Sequence, residues 1–455
     1  MDYRQYVESR KDEILDMLER LCRIPSVFVR YEPDAVAPFG EGIGEALDTM
    51  LEIGAADGFR TKNVKGHAGH IEWGRGEELL GILCHLDVVP AEAGQWSTPP
   101  FEPRIRDGKL YARGAIDDKG PAIAAYFAMR LLRELGVEPR RRVRLVLGTD
   151  EETAWRGITE YFKHEEMPAE GFSPDANFPL IHGEKGIMMM DFVGVRSEGP
   201  LESFHAGERP NVVPGEATVR LSIDLADEFR RFLSERGLDG DTDGRSYHVK
   251  GRSVHAMAPW KGTNAALEMV RFLSSHIQNP LIDFLKQRFV DGLRGEQLGI
   301  DHDDPETGCV SVNVGTVHYD EDGSKIGVNI RYPRGFDTET AFARLDQAAS
   351  AHGLTRRMNV DLPLHYVSKD DPLVRTLMDA YQFISGDRRN GPFTIGGGTY
   401  SRALRKGVAF GMVMPGREEV AHQVDEHVHI EDLLEATAIY MHALHALLSG
   451  GDSSR

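Results

Sequence analysis

The chain has 455 residues, 41% of them apolar and 27% charged, with a formal net charge of −19. That length exceeds one ordinary core and predicts two domains, or one domain with a large insertion. The acidity argues against a nucleic-acid binder, which needs clustered Lys and Arg, and no run approaches the roughly 18 apolar residues of a membrane span.

The N-terminal stretch "MDYRQYVESRKDEILDMLERLCRIPSV" scatters charge throughout and lacks the apolar core of a signal peptide. It reads as an amphipathic helix of the mature fold, with Ile14, Leu18, Leu21 and Cys22 on one face. "GEGIG", Gly40 to Gly44, lacks the full dinucleotide-binding pattern and has no strand before it. "ELLGILCHLDVV" reads as a strand. "PAIAAYFAMRLLRELG" reads as a helix, with proline near its start and glycine after its end. The basic run "EPRRRVRL" reads as a solvated edge or turn leading into the strand "RRVRLVLGTDEE". This β-α-β rhythm predicts a parallel or mixed sheet covered by helices.

After "HGEKG", His182 to Gly186, the texture changes. "IMMMDFVGV", "EATVRLSIDL", "SYHVKG", "CVSVNVGTVHY" and "KIGVNIRYP" are strand-like, beside the helical "TNAALEMVRFLSSHI". Strands in series beside helices predict an α+β domain. From Leu364 the α/β texture returns, with the helices "DPLVRTLMDAYQFISG" and "IEDLLEATAIYMHALHALL" around the strand "VAFGMVMPG". The expected architecture is therefore an α/β domain built from residues 1–186 and 364–455, with an inserted α+β domain at 187–363. "SGGDSSR" is a low-complexity tail, expected to fray.

The cysteines are Cys22, Cys84 and Cys309, with no CxxC pair. That argues against a disulfide framework and fits a reducing cytoplasm. Cys84 ends an apolar run and reads as a buried structural thiol.

Chemistry-bearing residues gather in the two end segments. In "CHLDVVP", His85 and Asp87 alternate on a predicted strand and would project to one face. His85 is either a metal ligand oriented by Asp87 or a satisfied histidine at a strand end. "YARGAIDDKGP" places Asp117 and Asp118 before a helix, where one could cap and the other bind metal. "LGTDEETAW" holds Glu151 and Glu152, a solvated turn or two carboxylates with different tasks. On extended backbone they would point to opposite sides. "FSPDANFP" carries Asp175 between two prolines. "EEVAHQVDEHVHI" offers His422, His427 and His429. Oxygen-rich ligands with two histidines suit a pair of divalent metals. A nucleophilic triad lacks its G-x-S-x-G elbow.

In their order these motifs resemble the M20 family of metallopeptidases, and within it the PepV-like dipeptidases. "HLDVVP", "WSTPPFEP", "DGKLYARGAIDDKGP", "TDEE", "SPDANFP" and "AHQVDE" carry the resemblance along nearly the whole chain. Ala112 departs from it, standing where the family has Gly. The resemblance implies a two-domain fold: a zinc-peptidase-like α/β catalytic domain and an inserted α+β lid.

It further implies hydrolysis of dipeptides through a water between two divalent metals, zinc first, with manganese or cobalt as alternatives. His85 and Asp175 would hold one metal, Glu152 and His422 the other, and Asp117 would bridge. Asp118 is left for capping or support. Glu151 would be the general base, and Asp87 would hydrogen-bond His85. In the inserted domain, His255 of "GRSVHAMAPWKGTNA", Asn211 of "NVVP" and Arg331 of "NIRYPRG" would stabilise the oxyanion and hold the substrate carboxylate. Gly397 belongs to "IGGGTYSR", which would line the cleft. The lid would close about hinges near Gly186 and Leu364.

Within the resemblance, short lids dimerise and longer ones are self-sufficient, so the insertion's length implies a monomer over a homodimer. The remaining histidines are read as structural, with His427 and His429 the nearest to being exceptions. An amidase or deacylase acting on N-acyl amino acids or succinyl-diaminopimelate is the alternative within the resemblance. A metal-free binding protein and a nucleotide-binding enzyme stand outside it.

Overall fold

Every residue of the strand Leu79–His85 is buried, as its unbroken apolar run requires of a strand covered on both faces. A computed structural model describes residues 2–449 of the chain, and the tail from residue 450 onward lies outside the described residues. Leu79–His85 pairs in parallel with Arg142–Gly148 on one side and Glu170–Ser173 on the other. Gly407–Ala409 continues the parallel set beside Glu170–Ser173. Ala68–Trp73 and Arg60–Val64 extend the opposite edge antiparallel, so the sheet is mixed.

The two faces of this sheet carry different cores. Leu80, Ile82, Cys84, Val143, Leu145 and Leu147 join the larger one, with helices Lys11–Cys22, Lys119–Glu134 and Ile430–Ser449. Leu83 and Val146 face the smaller one, with Tyr161, Tyr400 and Leu404. Helix Lys11–Cys22 buries Ile14, Leu15, Leu18, Leu21 and Cys22, the face its spacing predicts. Helix Lys119–Glu134 is buried almost all round, as an apolar circumference demands. A truncation such as Leu131→Ala there would cost about 2–5 kcal/mol.

Its N-terminal Lys119 is fully buried, and Nζ donates to the carbonyls of Leu21 and Ile24 at 3.1 and 2.8 Å. Gly120 follows because a Cβ there would stand 2.1 Å from the Ala115 oxygen. The "GEGIG" run has a similar cause. It opens helix Glu41–Ala56, and a Cβ on Gly42 would meet the Pro25 oxygen at 2.4 Å.

The basic run near residue 140 is not simply solvated. Arg144 lies in the strand Arg142–Gly148 and is buried with Glu72, which it meets at 2.6 Å, while Arg141 pairs with Glu170 and Arg142 with Glu166. A side chain on an interior strand has no route to water, so its charge must be paired within the protein.

The described residues divide into two compact units, 2–183, 366–393 and 398–449 in the first and 184–365 and 394–397 in the second. The short excursion at 394–397 joins the second unit through its hydrogen bonds. Lys185 N–H donates to the Ile395 oxygen at 3.1 Å, and Thr394 Oγ1 donates to the Glu306 oxygen at 2.6 Å.

The second unit is built on an antiparallel sheet. Its strand order is Gly240–Thr242, Ser246–Lys250, Glu216–Leu221, Leu201–Ala206, Ser311–Asp320, Gly323–Tyr332, Gly186–Gly194 and Thr355–Leu362. Glu216–Leu221 alternates strictly, burying Ala217, Val219 and Leu221 against a core shared with helix Ala265–Leu273. Fold class is therefore α/β with a second α+β unit. No helix among the described residues is long and apolar enough to cross a membrane.

Candidate active site

His85 is the last residue of its strand, so its side chain leaves the sheet at the carboxyl edge, where α/β folds collect ligands. Nδ1 donates to the main-chain oxygen of Asp87 at 2.9 Å. This leaves Nε2 as the lone pair, buried and without a hydrogen-bond partner. It stands 3.0 Å from Asp117 Oδ1 and 3.5 Å from Asp175 Oδ2. Across the same space, His422 Nε2 lies 2.9 Å from both Asp117 Oδ2 and Glu152 Oε1.

Two ligand groups thus share Asp117. One is His85, Asp117 and Asp175, the other Asp117, Glu152 and His422, and in each the candidate atoms lie within 4.8 Å of one another. His422 reaches its place from left-handed backbone, φ 64°, a conformation that non-glycine residues adopt at a cost.

Charge in this cluster is unbalanced. Burial raises the Glu151, Glu152 and Asp175 carboxyls above their usual range, and neighbouring carboxylates add to the shift. Burial works on Asp117 too, but the adjoining His422 and His85 imidazoles hold its carboxyl well below that range. The partners Asp117 and Glu152 push His422 up to about 10. Crowded carboxylates, an orphaned imidazole nitrogen and a shared aspartate form a nitrogen-and-oxygen donor set that fits divalent transition metals.

A family model described as "Peptidase family M20/M25/M40" matches residues 81–446. The chain belongs to that peptidase family. It is a metal-dependent hydrolase. The protein printed as "Putative dipeptidase SAB1611c" from Staphylococcus aureus (strain bovine RF122 / ET3-1) is 40% identical over 466 residues, covering 98% of this chain and 99% of that one. Human carnosine dipeptidase 1 shares the fold at TM-score 0.57 and 16% identity, over 98% of this chain and 99% of that one. Aminoacylhistidine dipeptidase from Vibrio alginolyticus shares it at TM-score 0.58 and 15% identity, over 96% of each.

Several details of this M20 site differ from the expectations drawn from local pattern. The strand ends at His85, so Asp87 lies in the loop beyond it. Its carboxylate is 3.6 Å from His85 Nδ1 and instead accepts the main-chain N–H groups of Glu151 and Glu152 at 3.1 and 3.0 Å. Those glutamates are in a turn, since their strand ends at Gly148. They separate because the turn aims Glu152 at His422 and Glu151 at Trp155, whose Nε1 donates to Glu151 Oε1 at 3.2 Å. Asp118 occupies the N-cap position of helix Lys119–Glu134 but makes no capping bond. Its Oδ2 accepts His85 N–H at 2.8 Å.

Other groups were not assigned from the sequence. Glu426, fully buried, accepts the N–H groups of Ile116 and Asp117 at 3.1 and 3.3 Å and pairs with buried Arg113. Arg113 Nη2 also donates to the His422 oxygen at 3.4 Å. One ion pair therefore ties the Asp117 loop to the His422 turn. Its sequence signal was present in "AHQVDE" and "YARG" without a role attached. Buried Tyr400 packs edge-on against both His85 and Trp155. His427 and His429 lie in the strand His427–His429, paired with Lys109–Tyr111, and are in neither ligand group. Cys84 points into the larger core, where burial raises its thiol well above the ordinary value.

His255, Asn211, Arg331 and Gly397 belong to the second unit. Met257 N–H donates to His255 Nδ1 at 3.2 Å, leaving Nε2 as the N–H donor of the neutral ring. Surrounding protein, then the Arg331 charge, lowers the His255 pKa. Ala256 N–H donates to the Asn211 oxygen at 2.9 Å, which ties these two segments together. Arg331 is buried, with Nε on Asn329 Oδ1 at 2.8 Å and Nη1 on the Gly396 oxygen at 3.3 Å. At Gly396 a Cβ would stand 2.9 Å from Met257 Cβ, whereas Gly397 has ordinary room.

Proposed function

We propose that this M20 metallopeptidase is a dipeptidase, acting as a monomer on small peptides. The observation that carries the substrate class is the dipeptidase name of a relative 40% identical over 98% of the chain. The length of the inserted unit, residues 184–365, supports the monomer.

His85 and Asp175 would hold one divalent cation, Glu152 and His422 a second, with Asp117 shared. Zinc is the first choice, with manganese and cobalt compatible with the same donors. Such a pair supplies acidification of a water and polarisation of the scissile carbonyl. Glu151 is the proton carrier, taking a proton from the attacking water and returning it to the leaving amine. Burial raises its proton affinity, with Asp175, Glu152 and Asp87 adding to the shift and His85 opposing it. Trp155 orients its carboxylate. Asp87 acts through the main chain of the Glu151–Glu152 turn and through the tautomer of His85.

In the second unit, His255 Nε2–H is assigned to the developing oxyanion. Arg331 is assigned to the substrate carboxylate, which its planar guanidinium can meet with two parallel bonds. Asn211 and the segment holding Gly397 complete the substrate-binding set.

Metal-reconstituted protein assayed against dipeptides, tripeptides, N-acyl amino acids and succinyl-diaminopimelate tests the reading. Dipeptides should turn over at least tenfold faster than the rest. Turnover confined to N-acyl substrates would make the protein an amidase, and no hydrolysis by fully loaded protein would end the proposal.

A further inference from the structure

A second grouping of metal-ligating side chains stands in the second unit, with no residue in common with the site above. His205 lies on strand Leu201–Ala206 and His318 on strand Ser311–Asp320, directly opposite each other in the antiparallel register. Their Nδ1 atoms are 3.1 Å apart and their rings meet at 79°. Asp320 follows His318 by two residues, so the pleat puts it on the same face. One atom from each of the three lies within 4.8 Å of the others. Both histidines are exposed and Asp320 is half-exposed.

The spacing matches a chelate. Two nitrogens at 2.0–2.1 Å from one ion, at a tetrahedral angle, stand about 3.3 Å apart. The sheet already holds these two within a few tenths of an ångström of that value. The neighbouring cation is otherwise engaged: Lys325, opposite His318 in the next strand, pairs with Asp191 Oδ2 at 3.1 Å. Thr218, opposite His205, carries no charge. Two imidazole nitrogens with one carboxylate select a borderline transition metal, not calcium or magnesium, which require oxygen donors.

We propose that His205, His318 and Asp320 bind a divalent transition-metal ion additional to those of the active site, zinc being the reference ion. The ion would bridge two strands whose histidines are 113 residues apart in the chain. By mass action it would stabilise the folded second unit as metal concentration rises.

Equilibrium dialysis of the full-length protein against zinc alone, read by metal analysis, provides the test. Wild type should bind one more equivalent than the His205→Ala/His318→Ala double variant. That difference does not depend on how many ions the active site takes, so failure here and failure of the dipeptidase reading are separable. Each single histidine variant should weaken the extra site at least tenfold, and Asp320→Asn should weaken it less. Peptidase activity of the double variant should be unchanged, and millimolar magnesium should not displace the ion. Equal stoichiometry in wild type and double variant would overturn the proposal, as would an extra equivalent that survives both substitutions or yields to magnesium.

Discussion

The carboxylate of Asp87 holds Glu151 by its main chain, accepting the Glu151 N–H at 3.1 Å and that of Glu152 at 3.0 Å. A group placed between two strand ends thereby sets the turn that carries both glutamates. Asp87→Ala would leave two part-buried N–H groups without this acceptor, at up to about 1–3 kcal/mol each. We expect kcat to fall at least 100-fold, with a lower urea midpoint. Asp87→Asn, which keeps one acceptor, should lie between. Kinetics of the two variants side by side check this, and an Asp87→Ala enzyme of wild-type kcat would refute it.

Glu151 and Glu152 should separate in their effects. Glu151→Gln should retain wild-type metal content and lose about 10²–10⁴ in kcat, the range of a positioned acid–base group. Glu152→Gln should lose one metal equivalent, since its Oε1 lies 2.9 Å from His422 Nε2 in the same ligand group. Metal analysis beside kcat decides between these roles. Identical behaviour of the two variants would show that the assignment is wrong.

Glu426 and Arg113 form a buried pair under the Asp117 loop. Glu426→Ala would strand the Arg113 charge, a change that costs about 3–5 kcal/mol. The same variant should weaken metal affinity, because Glu426 accepts the Ile116 and Asp117 N–H groups and Arg113 reaches the His422 oxygen. Urea unfolding of the metal-free protein and competition with a chelator measure the two effects separately.

His70 makes stability depend on pH in a defined direction. Burial, then the Arg144 cation, pushes its pKa down to about 4, and Tyr161 OH lies 2.8 Å from its Nδ1. The unfolded value is near 6.5. Above that pH both states are neutral and the contribution is fully present. As pH falls from about 6.5 to about 4, the unfolded state takes up the proton first and the contribution is lost, up to about 3 kcal/mol. Below about 4 it stays lost. The His70→Gln variant should lose less stability than wild type over that interval, by urea midpoints at successive pH values. Parallel curves would remove His70 as the cause.

Arg331→Lys should raise KM for dipeptides at least tenfold and change kcat much less, because a single ammonium replaces a two-bond contact. An unchanged KM would take the substrate carboxylate away from Arg331.

Local spacing in the sequence was enough for the elements and the donor types. The all-apolar run ending at His85 specifies a buried strand, and alternation in Glu216–Leu221 specifies a one-sided one, because both depend on adjacent residues. The order of His, Asp and Glu motifs was also enough to propose His85, Asp117, Glu152, Asp175 and His422, which the fold brings together. Two errors of detail came from extending strands too far. Asp87, Glu151 and Glu152 sit past the ends of theirs, where main-chain hydrogen bonds and not the pleat decide direction.

Long-range pairing could not be read from spacing. Glu426 under Asp117, Tyr400 against His85 and His205 facing His318 each join residues far apart in the chain. Strand register and loop packing place them, and both are set by the whole core and not by neighbours in sequence. The chain itself determined which residues could bind metal. Tertiary packing determined which of its histidines gather with carboxylates: His427 and His429 go into a strand paired with Lys109–Tyr111, outside both ligand groups, while His85 Nε2 is buried beside Asp117 and Asp175, where burial removes water as the alternative partner.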